Sequence, residues 1–247
     1  MKADPAAQER LLEVQALDAR ADQARHRLAT MPEVAEMTAL EASRAEVDDQ
    51  RRDAQIVVDD LDLAQRKADN DVEQVKTRRT RDRDRVDQGL ITNPKDLERM
   101  QHELVSLDRR ISVLEDEELE VMEQLEEAQA TLAELHQRVA AADERLAELA
   151  VVREEKEREI DRELAEIADA RGPAVEGLPD DLLALYEKLR SNKGGVGAAE
   201  LRQRRCNGCQ LGIDNAEIAV IRSTPADTVV RCEECSRILV RTSESGL

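Results

Sequence analysis

Apolar residues recur along this chain at alternating spacings of three and four, the pattern of a helix face that meets another helix. The longest run is Leu97, Met100, Leu104, Leu107, Ile111, Leu114, Val121, Leu125, Ala128, Leu132, Leu135, Val139, Ala142, Leu146 and Leu149, interrupted at Glu118. It weakens, then resumes at Ile160, Leu164 and Ile167. This predicts one helix from about Pro94 to about Arg171, ended by Gly172-Pro173. An earlier run, Val14, Leu17, Ala21, Ala24, Leu28 and Met31, breaks near 30–33, where Pro32 suits the first turn of a new helix. The phase then shifts to Leu40, Val47, Ala54, Val58, Leu61, Ala68, Val72, Val75 and Val86. That second seam is thinner and admits Arg51, Gln65 and Arg79.

Two long stripes joined by a short tip at 88–94 make antiparallel neighbours. Thr92 or Asn93 caps the returning helix, with Pro94 in its first turn. The arms, 6–87 and 94–171, are matched in length, and a rise of 1.5 Å per residue makes each roughly 110–120 Å long. The expected fold class is mainly α: a long antiparallel coiled-coil helical hairpin over 1–171, followed by a small C-terminal β module over 198–247. Residues 172–197 read as a linker holding a short helix at 180–190, with Leu182, Leu185, Tyr186 and Leu189 on one face. Ser191 to Gly197 read as a turn.

Composition agrees with long helices rather than a wide globular core. There is no Phe, no Trp and one Tyr, Tyr186, while charged residues make up 38% of the chain. The formal net charge is −19. Seven basic and seven acidic side chains balance within 198–247, so the whole excess of acid lies before it. So acidic a body repels nucleic acid and anionic membrane, and confines any nucleic-acid contact to a local patch. No apolar run is long enough to span a membrane, and MKADPAAQER lacks the apolar stretch of a signal peptide. The expected compartment is the cytoplasm, where four cysteines serve as metal ligands more often than as disulfides.

Those cysteines carry the strongest chemical signal. Cys206-Asn207-Gly208-Cys209 and Cys232-Glu233-Glu234-Cys235 each place two thiolates on one tight turn, and two such turns complete a tetrahedron around one zinc ion. Four protein ligands close the shell, which makes the site structural. Gly208 is expected to supply a positive φ in the first turn. The segments around Ile213, Ile218, Val220 and Ile221, then Val229 and Val230, then Ile238-Leu239-Val240 read as short β-stretches. A redox CxxC would need a thioredoxin-like βαβ context that the sequence lacks.

With these motifs in place the chain resembles the bacterial C4-type zinc-ribbon coiled-coil family, long known as a domain of unknown function. The resemblance rests on Thr92-Asn93-Pro94-Lys95-Asp96, Gln101-His102-Glu103-Leu104, Leu185 to Arg190, Gly194-Gly195-Val196-Gly197, CNGC and Cys232 to Leu239. Ser236 stands after the last cysteine where the resemblance leads one to expect Gly. It implies an adaptor or chaperone, as some members serve flagellar or secretion systems and sigma factors, and one line binds mRNA. An Arg-, Ala- and Asp-rich, Lys-poor composition points to a high-GC bacterium.

Two sets of side chains are candidate contacts. Arg202, Arg204, Arg205, Arg231 and Arg237 flank the cysteine pairs and could clamp phosphates or a protein partner. Against nucleic acid, no aromatic is at hand to stack bases. At the tip, Arg81, Arg83, Arg85, Leu90, Ile91, Asn93 and Lys95 form the second set, though charge runs of this kind are usually solvated helix faces. His26, His102 and His136 lie too far apart to share a site. No nucleophile–base pair or phosphate-binding glycine loop appears, so no enzymatic activity is expected. The reading that follows is a non-enzymatic adaptor for protein partners, as a monomer or weak homodimer, with nucleic-acid binding through the ribbon arginines as the alternative.

Overall fold

The structure, a computed structural model, describes residues 1–247. A helical hairpin comes first: α1 (Pro5–Ala29), α2 (Pro32–Asp87) and α3 (Pro94–Val175). Then come α4 (Asp180–Asn192), β1 (Ala198–Arg202), β2 (Arg205–Cys206), α5 (Asn215–Ser223), β3 (Val230–Arg231) and β4 (Ile238–Arg241). The strands form one sheet in the order β2-β1-β4-β3, with β1 and β4 parallel and the outer pairs antiparallel. No helix is long and apolar enough to cross a membrane.

The chain divides into two compact units, residues 35–149 and residues 1–34 with 150–247. The boundaries drawn from sequence at 171 and 197 do not coincide with these units. In the first unit α2 and α3 meet along the predicted seam. Val47, Val72, Leu104, Leu107, Ile111, Leu114, Leu125, Leu135 and Leu149 are buried there. Ion pairs across the seam fix its antiparallel register: Arg44 with Asp143 at 2.6 Å, Lys76 with Glu115 at 2.6 Å, and Arg79 with Asp108 at 3.0 Å. Glu118, the acid in the apolar run, shares a hydrogen bond with Asp69 that pushes its carboxyl pKa up. At the tip Gly89, with φ +66°, closes α2 as the Leu90 N–H reaches the Arg85 carbonyl at 3.1 Å. Asn93, rather than Thr92, caps α3, its Oδ1 accepting from the Lys95 N–H at 3.0 Å.

In the second unit the sheet separates two cores, because successive strand residues face opposite ways. One face, with Ala198, Ile238 and Val240, packs on Leu11 and Val14 of α1 and on Leu182, Tyr186 and Leu189 of α4. The other, with Ala199, Leu201 and Leu239, packs on Ile218 and Ile221 of α5 and on Cys206 and Cys232. The short helix expected within 172–197 is α4, and it packs beside α1 on the first of these faces of the sheet. Gly197 is needed for this fit: a Cβ there would stand 2.6 Å from the Tyr186 carbonyl oxygen. The N-terminal residues join too, Lys2 pairing in antiparallel fashion with Thr228.

Two local readings need correction. Helix α3 runs past Gly172-Pro173 to Val175. A proline this close to a C-terminus removes few bonds, and Ala174 and Val175 gain packing against the α1–α4 core. Residues 215–223, expected as β, form α5. Asp214 caps it, its Oδ1 accepting from the Glu217 N–H at 2.8 Å, and Ile218 and Ile221 bury one helical face.

Candidate metal centre

The two cysteine turns are built alike. In each, the first cysteine's N–H donates five residues on, Cys206 to the Leu211 carbonyl and Cys232 to the Arg237 carbonyl, both at 3.0 Å. Its own carbonyl accepts four residues on, from Gln210 at 2.7 Å and from Ser236 at 2.8 Å. That closure forces a left-handed backbone at the accepting turn's end, with φ 65° at Gln210 and 64° at Ser236. The positive φ expected at Gly208 is absent. Gly208 matters instead for space, because a Cβ would stand 2.8 Å from Arg237 Cδ and 3.0 Å from Ala199 Cβ.

These turns bring all four Sγ atoms within 4.8 Å of one another. Cys206 and Cys235 lie 3.8 Å apart, Cys209 and Cys232 3.9 Å. A tetrahedral zinc with Zn–S of about 2.3 Å requires S–S edges of about 3.8 Å. A disulfide requires about 2.0 Å. The four thiols are free, and the donor set fits one zinc ion held for structure. Burial pushes the Cys232 thiol up to about 12 and raises Cys206 as well. At Cys235 burial acts the same way, but the backbone and side chain of Arg237 and the neighbouring thiols bring it down to about 7. A bound cation favours the thiolate at every ligand.

The five ribbon arginines do not form one patch of free cations. Arg202 pairs with Glu244 at 2.7 Å. Arg237 turns inward, donating to the Val196 carbonyl at 2.9 Å and the Lys193 carbonyl at 2.7 Å. Arg231 donates to the Ser236 carbonyl at 2.8 Å. Arg205 is exposed and donates to the Gln210 carbonyl at 3.0 Å, and exposed Arg204 reaches Asn215 Oδ1 at 3.4 Å. Arg204 also lies with Gln203 in the tight β1–β2 turn, both at positive φ, held by backbone bonds to Glu244 and Ser245.

Sequence reasoning missed three polar residues that hold this unit together. Arg241 donates to the carbonyls of Thr224, Pro225, Ala226 and Thr228 at 2.8–3.0 Å, tying the end of α5 to the sheet. Gln15 accepts from the Gly197 N–H at 2.8 Å and donates to the Gly195 carbonyl at 2.9 Å. Asp18, buried, accepts from Arg171 at 2.8 Å and from the Tyr186 hydroxyl at 2.7 Å. A signal existed for Asp18, a charge set on the apolar stripe between Val14 and Ala21.

Of the tip residues, Leu90 is 64% exposed, while Ile91 is half-buried and Asn93 serves as the α3 cap.

A long helical hairpin carrying a four-thiolate ribbon defines a zinc-ribbon coiled-coil protein. The CT398-like coiled coil hairpin domain matches residues 14–194 and the C4-type zinc ribbon domain residues 205–239, so the chain belongs to this family. It is 35% identical over 241 residues to an uncharacterized protein of Mycobacterium tuberculosis, spanning 98% of each chain. A solved Mycobacterium smegmatis structure is similar over 98% of this chain and all of that one, with 36% identity and a TM-score of 0.81. CT398 from Chlamydia trachomatis shares the fold at 17% identity, with a TM-score of 0.65 over 96% of this chain and 98% of its own.

Proposed function

We propose that this protein is a non-enzymatic adaptor that works by binding protein partners. The observation that carries the reading is Leu90, a large apolar side chain 64% exposed at the hairpin tip and set among arginines. Single exposed aliphatics are ordinary on helix faces, and Leu63 and Val220 are nearly as exposed on α2 and α5. Leu90 differs in standing at the turn between α2 and α3, where a partner meeting the tip would cover it. The metal supports the same reading, since four thiolates fill a tetrahedral shell and leave no position for a substrate. The ribbon supports it over nucleic acid, because Arg202 and Arg237 are committed to Glu244 and to backbone carbonyls.

The test is site-specific photo-crosslinking of the zinc-loaded full chain inside bacterial cells. The photoreactive residue replaces Leu90 in one variant, Arg204 in a second and exposed Val57 in a third. Protein adducts that depend on position are expected. Absence of protein adducts at all three sites, or nucleic-acid adducts at Arg204 alone, would overturn the adaptor reading.

A further inference from the structure

The hairpin tip has a charge pattern unlike the rest of the chain. Between residues 76 and 95 stand seven basic side chains, at 76, 78, 79, 81, 83, 85 and 95, against Asp82, Asp84 and Asp87. The whole chain carries −19. Helix α3 neutralises only the cations farthest from the turn: Lys76 pairs with Glu115, Arg78 with Glu103 and Arg79 with Asp108. Arg81 reaches nothing but its neighbour Asp82, at 3.6 Å. Arg83, Arg85 and Lys95 form no ion pair.

Arg81 and Arg85 stand four residues apart and so share one face of α2. With Glu73, Lys76, Thr77, Thr80, Asp84 and Gln88 they line a shallow groove of ≈ 540 Å³, where three cations stand against two carboxylates. Just beyond it Gly89 ends the helix and leaves Leu90 in solvent. Cations, hydroxyls and one aliphatic side chain thus lie together within a few residues of sequence.

We propose that this tip receives an acidic, amphipathic segment of a partner protein, whose carboxylates meet Arg81 and Arg85 and whose apolar side chains cover Leu90. The inference rests on the adaptor reading and names the kind of partner. Charge complementarity supports it: an acidic segment is repelled by the acidic length of the hairpin and attracted at its tip. In the ribbon, 198–247, the seven basic side chains, exposed Arg204 and Arg205 among them, are balanced by seven acidic ones. Screening over about 8 Å at physiological salt keeps the attraction local. Leu90 then decides between polyanions, because a phosphate backbone gains nothing from a leucine. The chain's one aromatic, Tyr186, is buried and cannot stack a base.

The experiment titrates the zinc-loaded full chain into a fluorescent helical peptide with a glutamate face and a leucine face. A charge-matched single-stranded RNA and the same peptide with lysine for glutamate are titrated in parallel. The acidic peptide is expected to bind and the lysine peptide not to bind. Arg81→Glu with Arg85→Glu should weaken binding by about tenfold or more, since each reversal trades an attraction for a repulsion. Leu90→Ser should weaken it by about three- to tenfold, the scale of one aliphatic side chain's burial. Far-ultraviolet circular dichroism checks that both variants keep their helices. Tighter binding of the RNA, unchanged peptide affinity in the charge-reversed variant, or unchanged affinity in Leu90→Ser would each overturn the proposal. Crosslinks found only at the ribbon would leave the adaptor reading standing without it.

Discussion

Ser236 holds a left-handed backbone directly after the last zinc ligand, and Gln210 does the same after Cys209. A side chain in that region costs roughly 1–2 kcal/mol. Glycine would recover most of it, less a smaller loss through the freedom of the unfolded chain. Ser236→Gly is therefore expected to stabilise the ribbon by about 1 kcal/mol, read as a shift in the denaturation midpoint at fixed free zinc. An unchanged or lowered midpoint would mean that the serine hydroxyl contributes a bond worth as much. Ser236 also shows how far the sequence was readable at this scale. The departure from glycine was visible, and the backbone angle explains why glycine suits the position. Gly208 was misread, because a CxxC spacing locates two thiolates but does not reveal that Ala199 and Arg237 crowd the residue between them. Arg241 and Gln15 gave no sequence signal, being single polar residues whose partners are carbonyls brought close by tertiary folding.

Among the elements, α5 is the informative failure. Its Ile218, Val220 and Ile221 suggest a strand by composition, yet Asp214 and Glu217 stand three apart ahead of an Ile–Ile spacing of three. That combination is a helix start, and the cap at 2.8 Å makes it real. Asp214→Ala should cost about 1 kcal/mol, seen as a lower denaturation midpoint of the zinc-loaded ribbon. The seam of α2 and α3 was readable residue by residue because heptad spacing needs only local sequence. The apolar face of α4 was readable in the same way, but not the surface it docks on, nor the ionic cluster around buried Asp18 that joins it to α1 and α3. Asp18 is raised by burial but lowered more by hydrogen bonds from Arg171 and Tyr186 and by the charges of Arg171 and Arg190, so its pKa falls below the usual value. A depressed carboxylate contributes stability that is complete above its unfolded value, about 3.9, and is lost as pH falls through the folded value. Tyr186 reports on this contact as the chain's only aromatic. Its near-ultraviolet dichroism should fade on acidification below about pH 4 in the native chain. In Asp18→Asn that acid limb should flatten, with the signal already weaker at neutral pH.

At the scale of the whole molecule, the placement of the zinc decides what unfolds with it. Drawn from sequence, the ribbon is a separate module at 198–247, and loss of a ligand such as Cys206→Ser should melt it alone. The structure couples it further, because a single sheet faces two cores. Leu239 faces the cysteines, while its neighbours Ile238 and Val240 face α1, α4 and Tyr186. Zinc supplies apparent folding energy of order 10–16 kcal/mol in related small sites. Without it the sheet cannot be held by the few side chains around the cysteines, and the α1–α4 core loses one wall. Chelation or Cys206→Ser should therefore abolish the near-ultraviolet signal of Tyr186 in the same transition that unfolds the ribbon. Far-ultraviolet helicity should fall only in part, because the α2–α3 seam from Val47 to Leu149 has its own buried residues and cross-seam ion pairs. Following both signals against free zinc separates the two architectures. Coincident loss of the tyrosine signal and the ribbon makes residues 1–34 and 150–247 one cooperative unit stapled by the metal. A tyrosine signal that survives complete zinc removal would restore the ribbon as an independent module and leave α1 and α4 held by their shared apolar residues and by Asp18 with its partners.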